Sequence, residues 1–207
     1  MTYRFLQTLE TPGVRVAREA NGVGGRLDAM EADRSSDRFS ANEIAFIAER
    51  ASFYLATVSE TGWPYIQHRG GRQGFLRVLD DQTLGFADFR GNREYLTLGN
   101  TAGDDRVALF LMDYPRRRRL KILARMTAHD LKAEPDLAAR LATRGYRALT
   151  ERGFTLHLHA FDWNCSQHIT PRFTAAEIET AVAPLRDRLR ELEAENLRLR
   201  GKQESPP

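Results

Sequence analysis

Phe53-Tyr54-Leu55-Ala56-Thr57-Val58 is followed by Ser59-Glu60-Thr61-Gly62-Trp63-Pro64 and then by Tyr65-Ile66-Gln67-His68. Residues of β-forming type give way to turn chemistry and then resume, which is the cadence of a hairpin. The cadence recurs. Phe75 to Leu79, the turn Asp80-Asp81-Gln82 and Thr83 to Ala87 form a second hairpin. Arg106 to Met112 and Arg118 to Met126, joined through Asp113-Tyr114-Pro115, form a third. A short helical piece is expected around Arg93 to Leu98, a helix over Pro135 to Leu149, and a last, longer strand from Phe154 to Phe161. Short strands at this close spacing predict an antiparallel barrel with peripheral helices, mainly β within the α+β class.

Outward from the strands, the ends differ in character. Residues 1–38 read as an irregular arm, with a glycine-rich break at Asn21-Gly22-Val23-Gly24-Gly25 and a polar run from Glu31 to Arg38. Lacking a core of its own, this arm is expected to wrap another surface, such as that of a partner subunit. Ser40, with Glu43 at capping-box spacing, predicts a helix start. At the other end Ile178, Val182, Leu185, Leu189, Leu192, Asn196 and Leu199 fall at alternating spacings of four and three. That is a coiled-coil seam with one polar Asn, firm from Leu185 to Leu199, since Pro184 would kink or delay it. An amphipathic helix docked on its own barrel satisfies the same spacing.

Composition bounds the function. The 207 residues carry 29% charged and 42% hydrophobic side chains, a globular balance that excludes disorder of the whole chain. Lys+Arg 31 against Asp+Glu 28 leaves +3, too little excess for a nucleic-acid partner to be expected. One cysteine, Cys165, excludes an internal disulfide framework and fits a reducing, cytoplasmic setting. No apolar run reaches the roughly 20 residues of a membrane span, and Met1 to Glu10 has no secretory pattern. No membrane partner is expected.

Several segments carry distinctive chemistry. Arg116 to Arg119 and Lys121 enter a strand, where alternation puts Arg117, Arg119 and Lys121 on one side as a compact cationic row suited to a phosphate. Arg69-Gly70-Gly71-Arg72 ends a predicted strand with two glycines, which call for a bulge or a close backbone approach to something flat. Gly91-Asn92-Arg93, between a strand and a helix, offers backbone N–H groups and a guanidinium to an anion. Asp162-Trp163-Asn164-Cys165-Ser166-Gln167-His168-Ile169-Thr170-Pro171-Arg172 packs a ring, amides, an imidazole and a guanidinium into one loop. Cys165 beside His168 has no evident oxyanion hole, and a thiol mechanism is not favoured. His157 and His159 share a strand face but lack a third ligand, so no metal is expected.

In series, four segments resemble the pyridoxamine 5′-phosphate oxidase-like FMN-binding split-barrel family, in its predicted flavin-nucleotide-binding branch. They are Pro64 to Gly71, Leu84 to Arg93, Ala108 to Pro115 with the basic strand after it, and Asp162 to Arg172. The resemblance implies a six- to seven-stranded antiparallel split β-barrel over 39–173, a C-terminal helix and tail over 174–207 outside it, and FMN held between the subunits of a homodimer. By position, Gln67, His68, Arg69, Gly70, Gly71 and Arg72 would run beside the flavin ring, with Asp88 near the ring or ribityl chain. Asn92 and Arg93 would hold the phosphate, and Arg119 with Lys121 would face the flavin from the next strand. Trp163 and Arg172 would come from the other subunit, with Gln167 and His168 nearby. His168 is the one weak candidate for an acid or base.

The implied activity is an FMN-dependent oxidoreductase acting on a small molecule, with an electron donor such as NAD(P)H. The oxidase's own tyrosine–arginine–serine set is not reproduced by Arg144, Tyr146 and Arg147, nor is its Arg-x-His pair present, so pyridoxamine phosphate oxidation is not expected. A flavin-carrying sensor without turnover, or the same barrel holding F420 or haem, remain the other readings of these residues.

Overall fold

The computed structural model describes residues 4–23, 37–143, 145–164 and 166–203. The chain resolves into two compact units, one comprising residues up to Asp113 with Arg118–Gln167, the other Tyr114–Arg117 with residues from His168 onward. The first unit holds a seven-stranded antiparallel sheet in the order β2-β1-β5-β6-β7-β4-β3. Its strands are β1 (Ser52–Val58), β2 (Pro64–Gly70), β3 (Arg77–Val78), β4 (Thr83–Phe89), β5 (Arg106–Asp113), β6 (Arg118–His129) and β7 (Thr150–Asn164). The helices are α1 (Arg4–Leu9), α2 (Pro12–Ala20), α3 (Ala41–Ala48), α4 (Leu96–Gly103), α5 (Pro135–Leu141) and, in the second unit, α6 (Ala175–Gln203). The mainly-β α+β expectation holds, and the barrel is left open between β2 and β3.

Alternation decides which face is core. Along β1, Phe53, Leu55 and Thr57 are buried while Tyr54 and Val58 are exposed. The inward set continues through Leu109 and Leu111 of β5, Leu120 and Ile122 of β6, Phe86 of β4 and Phe154 and Leu156 of β7. Phe53 stacks on Phe75 and meets the edge of Phe86, and Phe86 tilts against Phe154. These rings form one aromatic column beneath the open side. α3 closes one end: the predicted capping box of Ser40 and Glu43 is present, and Phe46 and Ile47 are buried. Beyond its C-terminus the buried Arg50 donates to the carbonyls of Phe46 and Met112 and pairs with Asp113 at 3.2 Å.

The structure corrects the sequence reading at several elements. The arm is not irregular throughout, since α1 and α2 are helices and Phe5 of α1 is buried with Ala160, with Leu6 and Leu123 alongside. Its described start packs on the chain's own sheet; Gly24 to Ser36 lie outside the described residues. The strand expected over Phe75 to Leu79 shrinks to two residues, because Phe75 and Leu76 turn wholly into the core. The helix expected over Pro135 to Leu149 stops at Leu141, and the last strand starts earlier and ends later than Phe154 to Phe161. Arg117 adopts a φ of 53° in the turn before β6, so it does not join Arg119 and Lys121 on a strand face.

In the second unit, α6 runs through Pro184 without interruption. Its seam leucines Leu185, Leu189, Leu192 and Leu199 are all exposed, as is Ile178.

Candidate functional site

The sheet fails to close, and the opening is the candidate site. β2 pairs only with β1, and β4 pairs with β3 only at Leu84 and Gly85. Tyr65–Gly70 of β2 and Phe86–Phe89 of β4 are therefore strand edges without a ladder partner on one side, among the described residues. Both line a cleft of about 230 Å³, with the loop Gly91–Tyr95, the first residues of α4, and Glu151 and Phe154 of β7 completing it. Main-chain donors and acceptors along an unpaired edge are available to a ligand.

One ion pair staples the two edges together. Arg69 of β2 reaches Asp88 of β4 at 2.6 Å, and Arg152 of β7 reaches the other Asp88 oxygen at 3.6 Å. Burial raises the Asp88 carboxyl above its ordinary value, against the pull of the Arg69 and Arg152 charges. The Arg69 guanidinium lies over the Phe86 ring, and its buried Nε has no protein partner. An orphaned buried donor at the wall of a cleft asks for an acceptor from a ligand or water.

The loop after β4 is held in an uncommon shape. Arg93 and Tyr95 both have positive φ, 64° and 55°, in the left-handed region that non-glycine residues rarely enter. Tyr95 stands at the N-cap of α4 without a side-chain cap, so the first amides of the helix keep their donors. Arg93 lines the cleft beside them and donates to the Tyr95 hydroxyl at 3.4 Å. A β-bulge between Asp88 and Phe89 puts Glu151 opposite this loop, where it accepts from Arg90 and from the Tyr95 hydroxyl. The helix expected at Arg93 to Leu98 thus begins three residues later, and Asn92 and Arg93 approach the helix start rather than forming it.

Alternation sorts the β2 residues. Gln67 pairs with Leu55 and Arg69 with Phe53, so both face inward over the aromatic column. Thr97 of α4 donates to the Gln67 carbonyl oxygen at 2.9 Å, which leaves the Gln67 amide NH2 to donate elsewhere. His68 pairs with Tyr54 on the opposite face, their rings edge to face at 5.7 Å, although the residue borders the cleft. Gly70 borders it too; Gly71 and Arg72 do not. The flat neighbour of Gly71 is internal: a Cβ there would lie 2.8 Å from Phe75 Cγ. Gly71→Ala should therefore cost about 1–3 kcal/mol by overpacking, read as a lowered urea midpoint, whereas an unchanged midpoint would mean that Phe75 gives way freely.

The other candidates are not among the residues lining the cleft. Lys121 pairs with Asp162 at 2.6 Å and its ammonium sits over Phe5, so the cation is already engaged. Arg119 is half-buried with an unpartnered Nε, on the outward side of β6. Trp163 donates its indole N–H to Glu43 at 2.6 Å, sets its edge on Phe46 and carries Arg118 over its ring. Burial pushes the Glu43 carboxyl up, but hydrogen bonds from Ser40, Trp163 and Asn42 outweigh it and leave the group below its ordinary value. Gln167 is exposed at the end of the first unit. His168, with φ of 61°, and Arg172, whose guanidinium lies over Tyr114, belong to the second. Cys165 and Arg144 lie outside the described residues. His159 bonds with Thr8 and Arg4 of α1.

Sequence reading missed Thr97, Tyr95, Glu151 and Arg152. For Glu151 and Arg152 the signal was register: β4 and β7 pair antiparallel, which sets Arg152 opposite Asp88.

No protein-family model matches the chain, and no curated protein sequence matches it. Solved structures do align with it. A candidate pyridoxamine 5′-phosphate oxidase from Lactobacillus delbrueckii is 22% identical, over 62% of this chain and 96% of that one, with a TM-score of 0.46. HupZ of Group A Streptococcus is 14% identical, over 65% and 100%, with a TM-score of 0.47. An FMN-binding protein from Syntrophomonas wolfei is 13% identical, over 58% and 81%, with a TM-score of 0.44.

Proposed function

We propose that this chain is a flavoprotein of the pyridoxamine 5′-phosphate oxidase-like split-barrel family, that its cleft takes FMN, and that it is an oxidoreductase acting on a small molecule. The observation that carries the reading is the cleft between two unpaired strand edges, with a donor-rich loop at one end. Residues that the resemblance assigns to the cofactor, Gln67, Arg69, Gly70, Asp88, Asn92 and Arg93, meet there although they span two hairpins. Arg93, Asn92 and the uncapped start of α4 suit the phosphate dianion. The free edge of β2, the Gln67 amide and the orphaned Arg69 Nε suit the polar rim of the ring. Phe75, Phe86 and Phe154 give its apolar part a floor.

A bound flavin supplies reversible hydride and electron transfer between a donor such as NAD(P)H and an acceptor. The chain's part is to hold, orient and exclude water. At about 230 Å³ the cleft is smaller than the roughly 300–1,000 Å³ of a ligand pocket. A second copy of the chain would complete the wall, in the homodimer that the resemblance implies. The outward face of β1 and β2, where Tyr54, Val58 and Ile66 are exposed, offers it an apolar surface. Among the described residues no helix is long and apolar enough to cross a membrane.

The test is an absorbance spectrum of the purified protein before and after incubation with FMN and desalting. Flavin bands at about 370 and about 450 nm that survive desalting are expected. A Soret band or a single deazaflavin peak would replace FMN by haem or F420, and a protein that never retains a chromophore would overturn the cofactor. Bleaching by NAD(P)H followed by reoxidation separates an enzyme from a flavin-carrying sensor. Arg93→Ala should weaken FMN binding roughly 10- to 150-fold, the ~1.5–3 kcal/mol of a charge-assisted hydrogen bond. Unchanged affinity would remove Arg93 from the phosphate seat.

A further inference from the structure

Among the described residues no leucine of the α6 seam lines the cleft, and the seam's chemistry specifies an occupant. In heptad terms Val182, Leu189 and Asn196 take the a positions, and Leu185, Leu192 and Leu199 the d positions. Leu185, Leu189, Leu192 and Leu199 are 46–69% exposed, although they recur along one helix face. Arg188 and Glu195 take g positions and Glu193 and Arg200 the e positions that follow them, while Arg186, the first e position, faces the g residue Ala181. In a parallel, in-register pair, g of one helix faces the next e of the other. Arg188 then meets Glu193 of the second copy, and Glu195 meets its Arg200, with both contacts repeated by symmetry. Each is an attractive pair.

Asn196 points the same way. Parallel and in register, it lies opposite its own copy, and two amides can donate to and accept from each other. Turned antiparallel with the leucine layers aligned, it lies opposite Leu185 and its amide is left unpaired in the seam. Arg188 and Glu195 are engaged within the helix by Glu191 and Arg198. Such exposed i,i+3 pairs are weak and exchange readily for contacts across the seam. Pro184 falls at a c position, away from the seam.

We infer that α6 is a dimerisation helix, and that its partner is a second copy of this chain in a parallel, in-register, two-stranded coiled coil over Val182 to Leu199. The inference does not depend on the cofactor, and its test does not read flavin.

Full-length chains carrying Cys165→Ser and Leu192→Cys should cross-link to covalent dimers under mild oxidation, since d faces d in this arrangement. The outward control Cys165→Ser with Glu191→Cys should cross-link several-fold less. Adding Glu193→Arg to the Leu192→Cys chain sets two cations against each other and should lower the yield several-fold; adding Arg188→Glu as well should restore it. Circular dichroism of each variant shows whether α6 remains helical. Equal cross-linking of Leu192→Cys and Glu191→Cys would overturn the proposal. So would cross-linking only between Leu189→Cys and Leu192→Cys chains mixed together, which is the antiparallel signature. Persistence of a dimer by light scattering without any seam cross-link would leave a barrel-mediated dimer and refute the helix as its clasp.

Discussion

Asp88→Ala is expected to lower the stability of the fold by about 3 kcal/mol, near the bottom of the ~3–5 kcal/mol for removing one partner of a buried ion pair. The value sits low because Arg69 and Arg152 keep 16% and 17% exposure and recover some hydration. Without the carboxylate, the guanidiniums of Arg69 and Arg152 lose the partner they share and the β2 and β4 edges lose the contact that joins them. For a chain of this size the thermal midpoint should fall by about 6–12 °C. Asp88→Asn keeps one acceptor for Arg69 and should fall between the alanine variant and the parent. If the alanine variant melts with the parent, the pair does not hold the opening together. Because the same residues border the cleft, flavin retention should fall with stability, and more steeply than in Arg93→Ala.

Arg50→Ala should be at least as damaging, at about 4 kcal/mol or roughly 8–16 °C. Arg50 is buried after α3, where it serves two backbone carbonyls and the carboxylate of Asp113, itself 2% exposed. Its guanidinium also lies 4.5 Å from the Phe46 ring centroid, so truncation opens a void as well as stranding a charge. Pairing the changes as Arg50→Met with Asp113→Leu removes both charges and should recover much of the loss, because an apolar replacement of a buried pair is often close to neutral. A double variant as unstable as the single one would shift the weight from the charge to the carbonyl contacts. Neither residue borders the cleft, so FMN affinity of the folded fraction should stay unchanged.

The strands were legible because their signals are local. Alternation along β1 and β5 and the turn chemistry at Gly62 and Asp80–Gln82 match the observed hairpins. The Ser40–Glu43 capping box was equally local and equally sound. What failed depends on conformations that residue type does not announce. Arg93, Tyr95 and Arg117 enter the left-handed region without being glycine, which displaced the α4 boundary and took Arg117 off its strand. Phe75 reads as a strand residue but is drawn into the core by Phe53. The cleft was half legible: residues within one hairpin, such as Gln67 and Arg69, could be picked out from their segment. Arg152 and Glu151 come from β7, more than sixty residues from Asp88, and only the sheet register brings them there.

A cleft rimmed by strand edges also has a consequence for how the protein tolerates change. Backbone N–H and C=O groups are common to nearly every residue type, so a contact made through the free edge of β2 or β4 survives most replacements along it. Only proline removes the donor outright. Variation at Tyr65, His68 or Phe89 can therefore retune what the opening accepts while its polar rim persists. The loop at Arg93 and Tyr95 is the opposite case, because the phosphate seat proposed for it depends on particular side chains on a strained backbone. Specificity can drift along one wall while the other stays fixed, which makes the opening a place where one barrel could acquire a different small molecule by a few exchanges.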